Sequence, residues 1–284
     1  MRRKYTPDEL RRLHAELYDI LGETVRVCRE NGIPYFLVGG TAIGALYDNA
    51  ILPWDDDVDI GMTRDAYERF LRIAPAKLRP GYFLSWQHTD PHTPYYFAKV
   101  RKDGTVFTES LFKDIDMHQG IFIDVLPFDR MPDNALLRRM QQGVVNFLKC
   151  CLLGKEIWLW RHCGRCANPE PSGRGFIPCL LNRIVDTLLS KRAIYRLMVA
   201  AQTAFNGCRT RYYNNIATST DHVEASALAH LHSVRFGPLT VTVPHDLEGF
   251  LRHNYPRLHR FTPEEQARVS NHCPERMVFS EPSR

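Results

Sequence analysis

Apolar positions recur at helical spacing through Leu10, Leu13, Leu17, Leu21, Val25 and Cys28, and this stripe predicts a first helix. Thr6-Pro7-Asp8-Glu9 opens it as a capping box with proline at the first helical position, and Asn31-Gly32 stops it. The period then changes. Tyr35-Phe36-Leu37-Val38 is a short apolar run between Pro34 and Gly39 and predicts a buried strand; Thr41 to Tyr47 predicts the first turns of a helix. Val58, Ile60 and Met62 alternate with Asp57, Asp59 and Gly61, which on a strand places the two carboxylates on one face and the apolar residues on the other. A helix follows from Thr63 or Arg64 to Ala74, with Tyr67, Phe70 and Leu71 inward. Short strands are predicted near 82–86, 95–101 and 105–109, then a β-branched and aromatic strand through Gly120-Ile121-Phe122-Ile123-Asp124-Val125-Leu126. Residues 133–206 read as mostly helical, broken by a loop at 168–173. Phe236-Gly237-Pro238-Leu239 reads as a turn between strands 233–236 and 239–243, and Thr262-Pro263-Glu264-Glu265 opens a last short helix. This mixture predicts an α+β fold with a small mixed sheet flanked by helices.

Composition changes the picture little. A chain of 284 residues with 44% hydrophobic and 24% charged residues can bury a sizeable core, as one large domain or one domain with a helical appendage. Met1 to Glu9 lacks an apolar signal core and no stretch reaches the length of a membrane span, so the expected place is the cytoplasm, with the inner face of the membrane as the variant. The net charge of +5 fits an anionic substrate or a membrane surface and decides nothing alone. No basic stripe with interleaved aromatics is present, so nucleic acid is not an expected partner. The eight cysteines form no disulfide framework. Cys150-Cys151 with His162 and Cys163-Gly164-Arg165-Cys166 have zinc-like spacing on one side only, so reduced thiols are expected and structural zinc is the alternative. The apolar and aromatic stretch 148–160 reads as a buried core helix, with a membrane interface or a lipid-linked acceptor as the other use.

The chemistry concentrates in two places. Pro53-Trp54-Asp55-Asp56-Asp57-Val58-Asp59 puts four carboxylates in five residues, and such a cluster calls for a cation; carboxylates suit Mg²⁺ or Mn²⁺ better than zinc. Asp57 and Asp59 are the candidate metal ligands; Asp55 shares their parity and Asp56 points elsewhere. A two-metal site asks for a further acid, and Asp124, a lone carboxylate in an apolar strand, is the candidate. Asp129, past Pro127, reads as a loop residue and a weaker one. Upstream, Gly39-Gly40-Thr41 at a helix start is suited to cradle phosphate. Lys99 and Arg101 share a strand face from which they can neutralise a phosphate, the alternative being a solvated basic edge. Trp54 is either a wall that stacks on a base or on a choline ammonium, or a packing anchor. His118 is a base or phosphate donor, or structural. Without the glycine turn the acidic run would read as a solvated loop.

Phe36-Leu37-Val38-Gly39-Gly40-Thr41, Pro53-Trp54-Asp55-Asp56-Asp57-Val58-Asp59-Ile60 and His118-Gln119-Gly120-Ile121-Phe122-Ile123-Asp124 resemble the LicD family, which includes bacterial phosphocholine transferases and fukutin-type phosphosugar transferases within the nucleotidyltransferase-fold superfamily. The superfamily pattern of a Gly-Gly turn, an acid-hydrophobic-acid strand and a later single acid falls on Gly39 and Gly40, on Asp57 and Asp59, and on Asp124; Phe97-Ala98-Lys99-Val100-Arg101 also resembles a family segment. The resemblance is specific over 33–128, weak over 129–230, and returns loosely over 241–251 and at Asn254-Tyr255, where Pro256-Arg257 stands in place of the Gly-Asp of many members. It implies a nucleotidyltransferase-like catalytic core over 1–130, a mostly helical region over 131–230 that contacts the acceptor or a membrane, and a C-terminal hairpin and helices over 231–284 packing back on the core. It also implies a metal-dependent phosphotransferase. The donor would be CDP-choline or a similar nucleoside-diphospho-alcohol, and the acceptor a glycan such as lipopolysaccharide or teichoic acid, or its lipid-linked precursor. Alternatives left open are a nucleotidyltransferase acting on a nucleoside triphosphate, a glycosyltransferase with an Asp-x-Asp metal motif, and a non-catalytic nucleotide-binding scaffold.

Overall fold

The computed structural model describes residues 5–162, 188–216, 222–266, 269, 272 and 274–281. Helix α1 (Pro7–Glu30) begins with the expected box: the Thr6 hydroxyl accepts from the Glu9 N–H while the Glu9 carboxylate accepts from the Thr6 N–H. Leu13, Leu17, Ile20, Leu21, Val27 and Cys28 form its buried stripe. The chain then passes through β1 (Phe36–Leu37), α2 (Gly39–Tyr47), β2 (Asp59–Thr63), α3 (Arg64–Lys77), β3 (Tyr82–Ser85), β4 (Ala98–Lys102), β5 (Val106–Thr108) and β6 (Phe122–Met131). The main sheet runs in the order β1-β2-β6-β4-β3, with β2 and β6 parallel and the other neighbours antiparallel.

Alternation divides this sheet into two unlike faces. Ile60, Met62, Ala98, Val100, Ile123 and Val125 are wholly buried and share one core with the apolar stripes of α1 and α3. The other face carries Asp59, Asp124 and Lys99 in register. Close packing on that face fixes Gly61: a methyl group there would come within 2.7 Å of the Phe36 ring and 2.8 Å of the Phe128 ring, which meet edge to face.

After β6 the chain forms α4 (Ala135–His162) and α5 (Lys191–Thr203), which pack together through Val145, Leu148, Cys151, Leu152, Ile194 and Met198 in a second core. This bears out the buried reading for the described part of the 148–160 stretch. The expected loop at 168–173 and the Cys163–Cys166 pair lie outside the described residues. Strand β7 (Tyr212–Asn214) pairs with the end of β6 and with β8 (Val223–Glu224), followed by α6 (Ala225–Ala229). The hairpin β9 (His232–Phe236) and β10 (Leu239–Val243), then α7 (Leu247–Asn254), return Phe236, Val241, Val243, Phe250 and Leu251 to the main core. After α8 (Pro263–Gln266) the chain ends its described course in β11 (Arg276–Val278), which pairs with β5.

One expectation needs correction. Asp129 is not a loop residue: it lies on β6, is fully buried, and receives Arg64 through Nε at 2.9 Å and Nη2 at 2.5 Å. Pro127 does not end the strand, for a reason the sheet makes plain. The Asp124 N–H points to β2, so the odd-numbered N–H groups of this stretch point the other way; β4 stops pairing at Val125 and β7 starts at Asp129. The missing donor of Pro127 falls in that gap and costs no ladder bond. A smaller difference is that β2 begins at Asp59, so Asp57 lies in the segment before the strand.

Candidate active site

A polar row crosses the open face of the sheet. Asp59 on β2 is opposite Asp124 on β6, Asp124 is opposite Lys99 on β4, and Lys99 is opposite Ser85 on β3. Residues directly opposite one another point to the same face, so register alone brings two carboxylates and an ammonium together. Lys99 Nζ donates to Asp124 Oδ1 at 2.6 Å and is almost wholly buried. Three rings enclose it, Phe122 at 3.4 Å from its centroid, Tyr95 at 4.1 Å and Phe97 at 5.3 Å. Arg101 follows one pair along, opposite Phe122. It is buried, gives Nη1 to the Gly120 carbonyl at 2.9 Å, and finds no acceptor among the described residues for Nε and Nη2.

The acidic run lies beside this row. Asp55, Asp57, Asp59 and Asp124 repel one another through a region that excludes much of the solvent. Burial first, then the charges of Asp57 and Asp56, push Asp55 up to about 8. Burial, with Asp124 and Asp56 adding to it, pushes Asp57 up to about 6, while His272 and Lys99 pull against it. Burial and then Asp57, Asp124 and Asp55 raise Asp59 well above the carboxylate range, and burial raises Asp124 against the opposing pull of Lys99. Asp56 points away, as its parity predicts, accepting from the Tyr5 hydroxyl at 2.7 Å and from the His272 N–H at 2.8 Å. Burial would raise it, yet His272 and Tyr5 hold it below the usual range.

The glycine turn meets the acids from the other side. Gly39 has φ +57° and opens α2. A methyl group on Gly40 would approach Asp55 Oδ2 to 2.6 Å, and one on Gly39 would lie 3.4 Å from Asp59 Oδ2. The positive end of the helix therefore adjoins the carboxylates. Thr41, buried, accepts the Asp59 N–H on its hydroxyl oxygen at 2.9 Å, tying the helix start to the acid strand. Trp54 stacks on Phe261 with ring centroids 5.8 Å apart. His118 is engaged elsewhere: Nε2 contacts Asp103 at 2.9 Å, Nδ1 accepts the Gly120 N–H, and the ring stacks on Phe83.

Sequence reasoning missed His272. It belongs to a C-terminal strap that crosses to the acidic run, with Nδ1 3.1 Å from Asp56 Oδ1 and 3.6 Å from Asp57 Oδ2. The hydrogen bond to Asp56, then the charges of Asp57 and Asp56, push it up to about 9 against burial. Pairing of β11 with β5 anchors the strap, and the Ser280 N–H donates to Glu16 at 2.9 Å. Nothing local marks this histidine, because its role depends on contacts with residues more than two hundred positions upstream. Glu109 was also missed; it accepts from the Tyr95 hydroxyl beside the Lys99 cage. Among the described residues, Asp56, Asp57 and His272 already hold ligand atoms within 4.8 Å of one another. Asp56 accepts there from the Tyr5 hydroxyl and the His272 N–H and contacts the His272 ring, so its oxygens are engaged within the protein.

Residues 32–142 match the family described as LicD/FKTN/FKRP, nucleotidyltransferase domain. A lipopolysaccharide cholinephosphotransferase LicD of Haemophilus influenzae is 30% identical over 136 residues, covering 47% of this chain and 49% of that protein. An uncharacterised protein of Rickettsia typhi is 29% identical over 120 residues, 42% of this chain and 36% of its own. One of Rickettsia prowazekii is 32% identical over 71 residues, 25% of this chain and 27% of its own. The chain thus spans about half or less of the length of the curated relatives it matches.

Proposed function

The chain belongs to the LicD family through residues 32–142, and from that premise we propose that it transfers a phospho-alcohol to a hydroxyl of a cell-surface glycan. The first choice of donor is CDP-choline and of acceptor lipopolysaccharide, because the Haemophilus influenzae relative bears the name of a lipopolysaccharide cholinephosphotransferase. One observation carries the reading: Asp59, beside the start of α2, stands in register with Asp124, and the two carry more negative charge than Lys99 alone can offset.

The donor set fits a hard divalent cation. Asp57, Asp59 and Asp124 offer carboxylate oxygens alone, and burial with mutual repulsion raises all three above the usual range. Asp57 and Asp59 would hold Mg²⁺ or Mn²⁺. Asp124, with Oδ1 on Lys99, would complete the set through Oδ2 or take the acceptor proton there. A cation so held would polarise the phosphoryl group and offset charge on the leaving nucleotide.

The remaining work is positioning. The N–H groups of Gly39, Gly40 and Thr41 would hold phosphate oxygens at the helix start. Lys99 and Arg101 would supply positive potential from beneath, Arg101 having Nε and Nη2 without an acceptor among the described residues. Trp54, half-buried and stacked on Phe261, would form a wall for the base or the trimethylammonium group. The acceptor oxygen would then attack phosphorus, its proton would pass to Asp124, and the nucleoside monophosphate would leave with the electrons of the broken P–O bond.

A thermal-shift panel of CDP-choline, CDP-ribitol, CTP and a UDP-sugar, each with and without Mg²⁺, tests this. A ligand at about a hundred times its dissociation constant stabilises by about 2.7 kcal/mol. A Mg²⁺-dependent shift with a CDP-alcohol alone is the expected result. A shift with CTP alone would replace the reading with nucleotidyl transfer, and silence throughout would leave a scaffold.

A further inference from the structure

The two-helix unit formed by α4 and α5 has an unusual outer surface. On α4 the residues that turn away from the second core are Leu136, Leu137, Met140, Val144 and Phe147, with exposures from 40% at Phe147 to 67% at Leu136. They recur at helical spacing, so they form one stripe beside the buried Val145, Leu148 and Leu152. Leu197 of α5, 48% exposed, continues the stripe across a shallow groove that it lines with Gly143, Val144 and Phe147. Isolated exposed leucines need no account, but a contiguous apolar patch does.

Charge identifies what covers it. Neither residues 134–155 nor residues 188–203 contain an aspartate or a glutamate. The same stretches carry Arg138, Arg139, Lys149, Lys155, Lys191, Arg192 and Arg196, of which Arg139, Arg192 and Arg196 are exposed. The nearest acid on α4, Glu156, is buried against Lys191. Apolar residues bordered by exposed arginines, with no acid among them, match the boundary between anionic headgroups and acyl chains. A second copy of the chain would bring two acid-free basic faces together and is disfavoured. No helix among the described residues is long and apolar enough to cross a membrane.

We propose that the α4–α5 face docks on an anionic lipid surface, the Leu136-Met140-Val144-Phe147 stripe entering the interface and Arg139, Arg192 and Arg196 meeting headgroups. The unit is continuous with the candidate site, since α4 packs on Tyr96, three residues before Lys99. The inference needs no donor or turnover, so it stands or falls apart from the transferase reading.

Vesicle flotation of the full chain tests it, with phosphatidylcholine alone and with phosphatidylglycerol added. Binding to the anionic vesicles that weakens as salt rises is expected. Arg139→Gln and Arg196→Gln should each reduce it about fivefold. Val144→Glu should abolish flotation while the melting temperature and any CDP-choline shift stay as in the parent. All these positions are exposed, and the arginine variants keep the test sound should Val144→Glu fold poorly. Equal retention on both vesicle types, no retention, or retention unchanged in Val144→Glu and both arginine variants would overturn the proposal. A dimer in analytical ultracentrifugation that Val144→Glu dissociates, without vesicle binding by the parent, would assign the face to self-association.

Discussion

Asp59 and Asp124 face each other across the parallel pair of β2 and β6, and Lys99 neutralises the second of them while the first has no cation at hydrogen-bond distance among the described residues. Burial and the neighbouring acids therefore oppose the charged form of Asp59. Asp59→Asn should therefore raise the melting temperature of the metal-free chain, because it removes a buried charge that repels Asp57, Asp124 and Asp55. The same change should lower turnover by about two orders of magnitude or more, as loss of a group that positions and neutralises phosphate does. Activity retained in Asp59→Asn would remove this residue from the chemistry.

The acids also set a direction for pH. A carboxyl whose folded pKa lies above its unfolded value binds more protons in the native state, so stability grows as pH falls through the folded value. Asp55, at about 8, and Asp57, at about 6, place that growth between roughly pH 8 and 4 in metal-free protein, the lower end being the ordinary carboxyl value. At still lower pH, Asp56 and Glu16, whose values are held below the usual range, must protonate and stability falls again. Added Mg²⁺ should flatten the rise, because the cation competes with the protons. Melting curves at several pH values, with EDTA and with Mg²⁺, give the answer; an unchanged slope would mean that the cation does not reach these acids.

His272 acts in the same pH range with its own sign. Its folded pKa near 9 exceeds the ordinary value, so its contribution is complete below about pH 6.5 and is lost as pH rises through 9. His272→Ala should cost about 1 kcal/mol at pH 6, an amount discounted because the ring is 44% exposed, and nothing at pH 10. A cost independent of pH would show that packing, not the ion pair, holds the strap.

Arg64 and Asp129 form a buried, two-point ion pair in which Arg64 also donates to the Gln202 side-chain oxygen and Asp129 also accepts from the Asn206 amide. Removing one partner leaves the other charged and buried. Arg64→Ala or Asp129→Ala should destabilise by about 3–5 kcal/mol in urea titrations. Any donor-induced shift should persist in whatever folded protein remains, since Asp129 belongs to the scaffold.

Gly61→Ala tests the packing that supports the acid strand. Its methyl group would press on Phe36 and Phe128, and overpacking of this kind costs about 1–3 kcal/mol. A neutral result would mean that the two rings can part.

The elements legible from the residues were those fixed by local periodicity: α1 with its capping box, the alternation around Asp59, the strand through Asp124 and the hairpin around Gly237. Parity alone separated Asp56 from Asp55 and Asp57. Asp129 was misread because proline is an ambiguous local signal; its meaning depends on which neighbouring strands pair on which side. Lys99 and Arg101 were legible as sharing a face, but their burial was not, since the rings of Tyr95 and Phe122 and the segment around Gly120 cover them only in the folded chain. His272 had no signal at all, because an isolated histidine acquires its role from the acids it meets.

The crossover between β2 and β6 has a kinetic side. Asp59 and Asp124 are neighbours across the β2–β6 pair although α3, β3, β4 and β5 lie between them in the chain. Their meeting closes a long loop, a non-local contact of the kind that slows folding. Asp57 and Asp59 are close in the sequence, but Asp124 joins them only in the fold, so an ion held by all three would bind the native state more tightly than the denatured chain and slow unfolding.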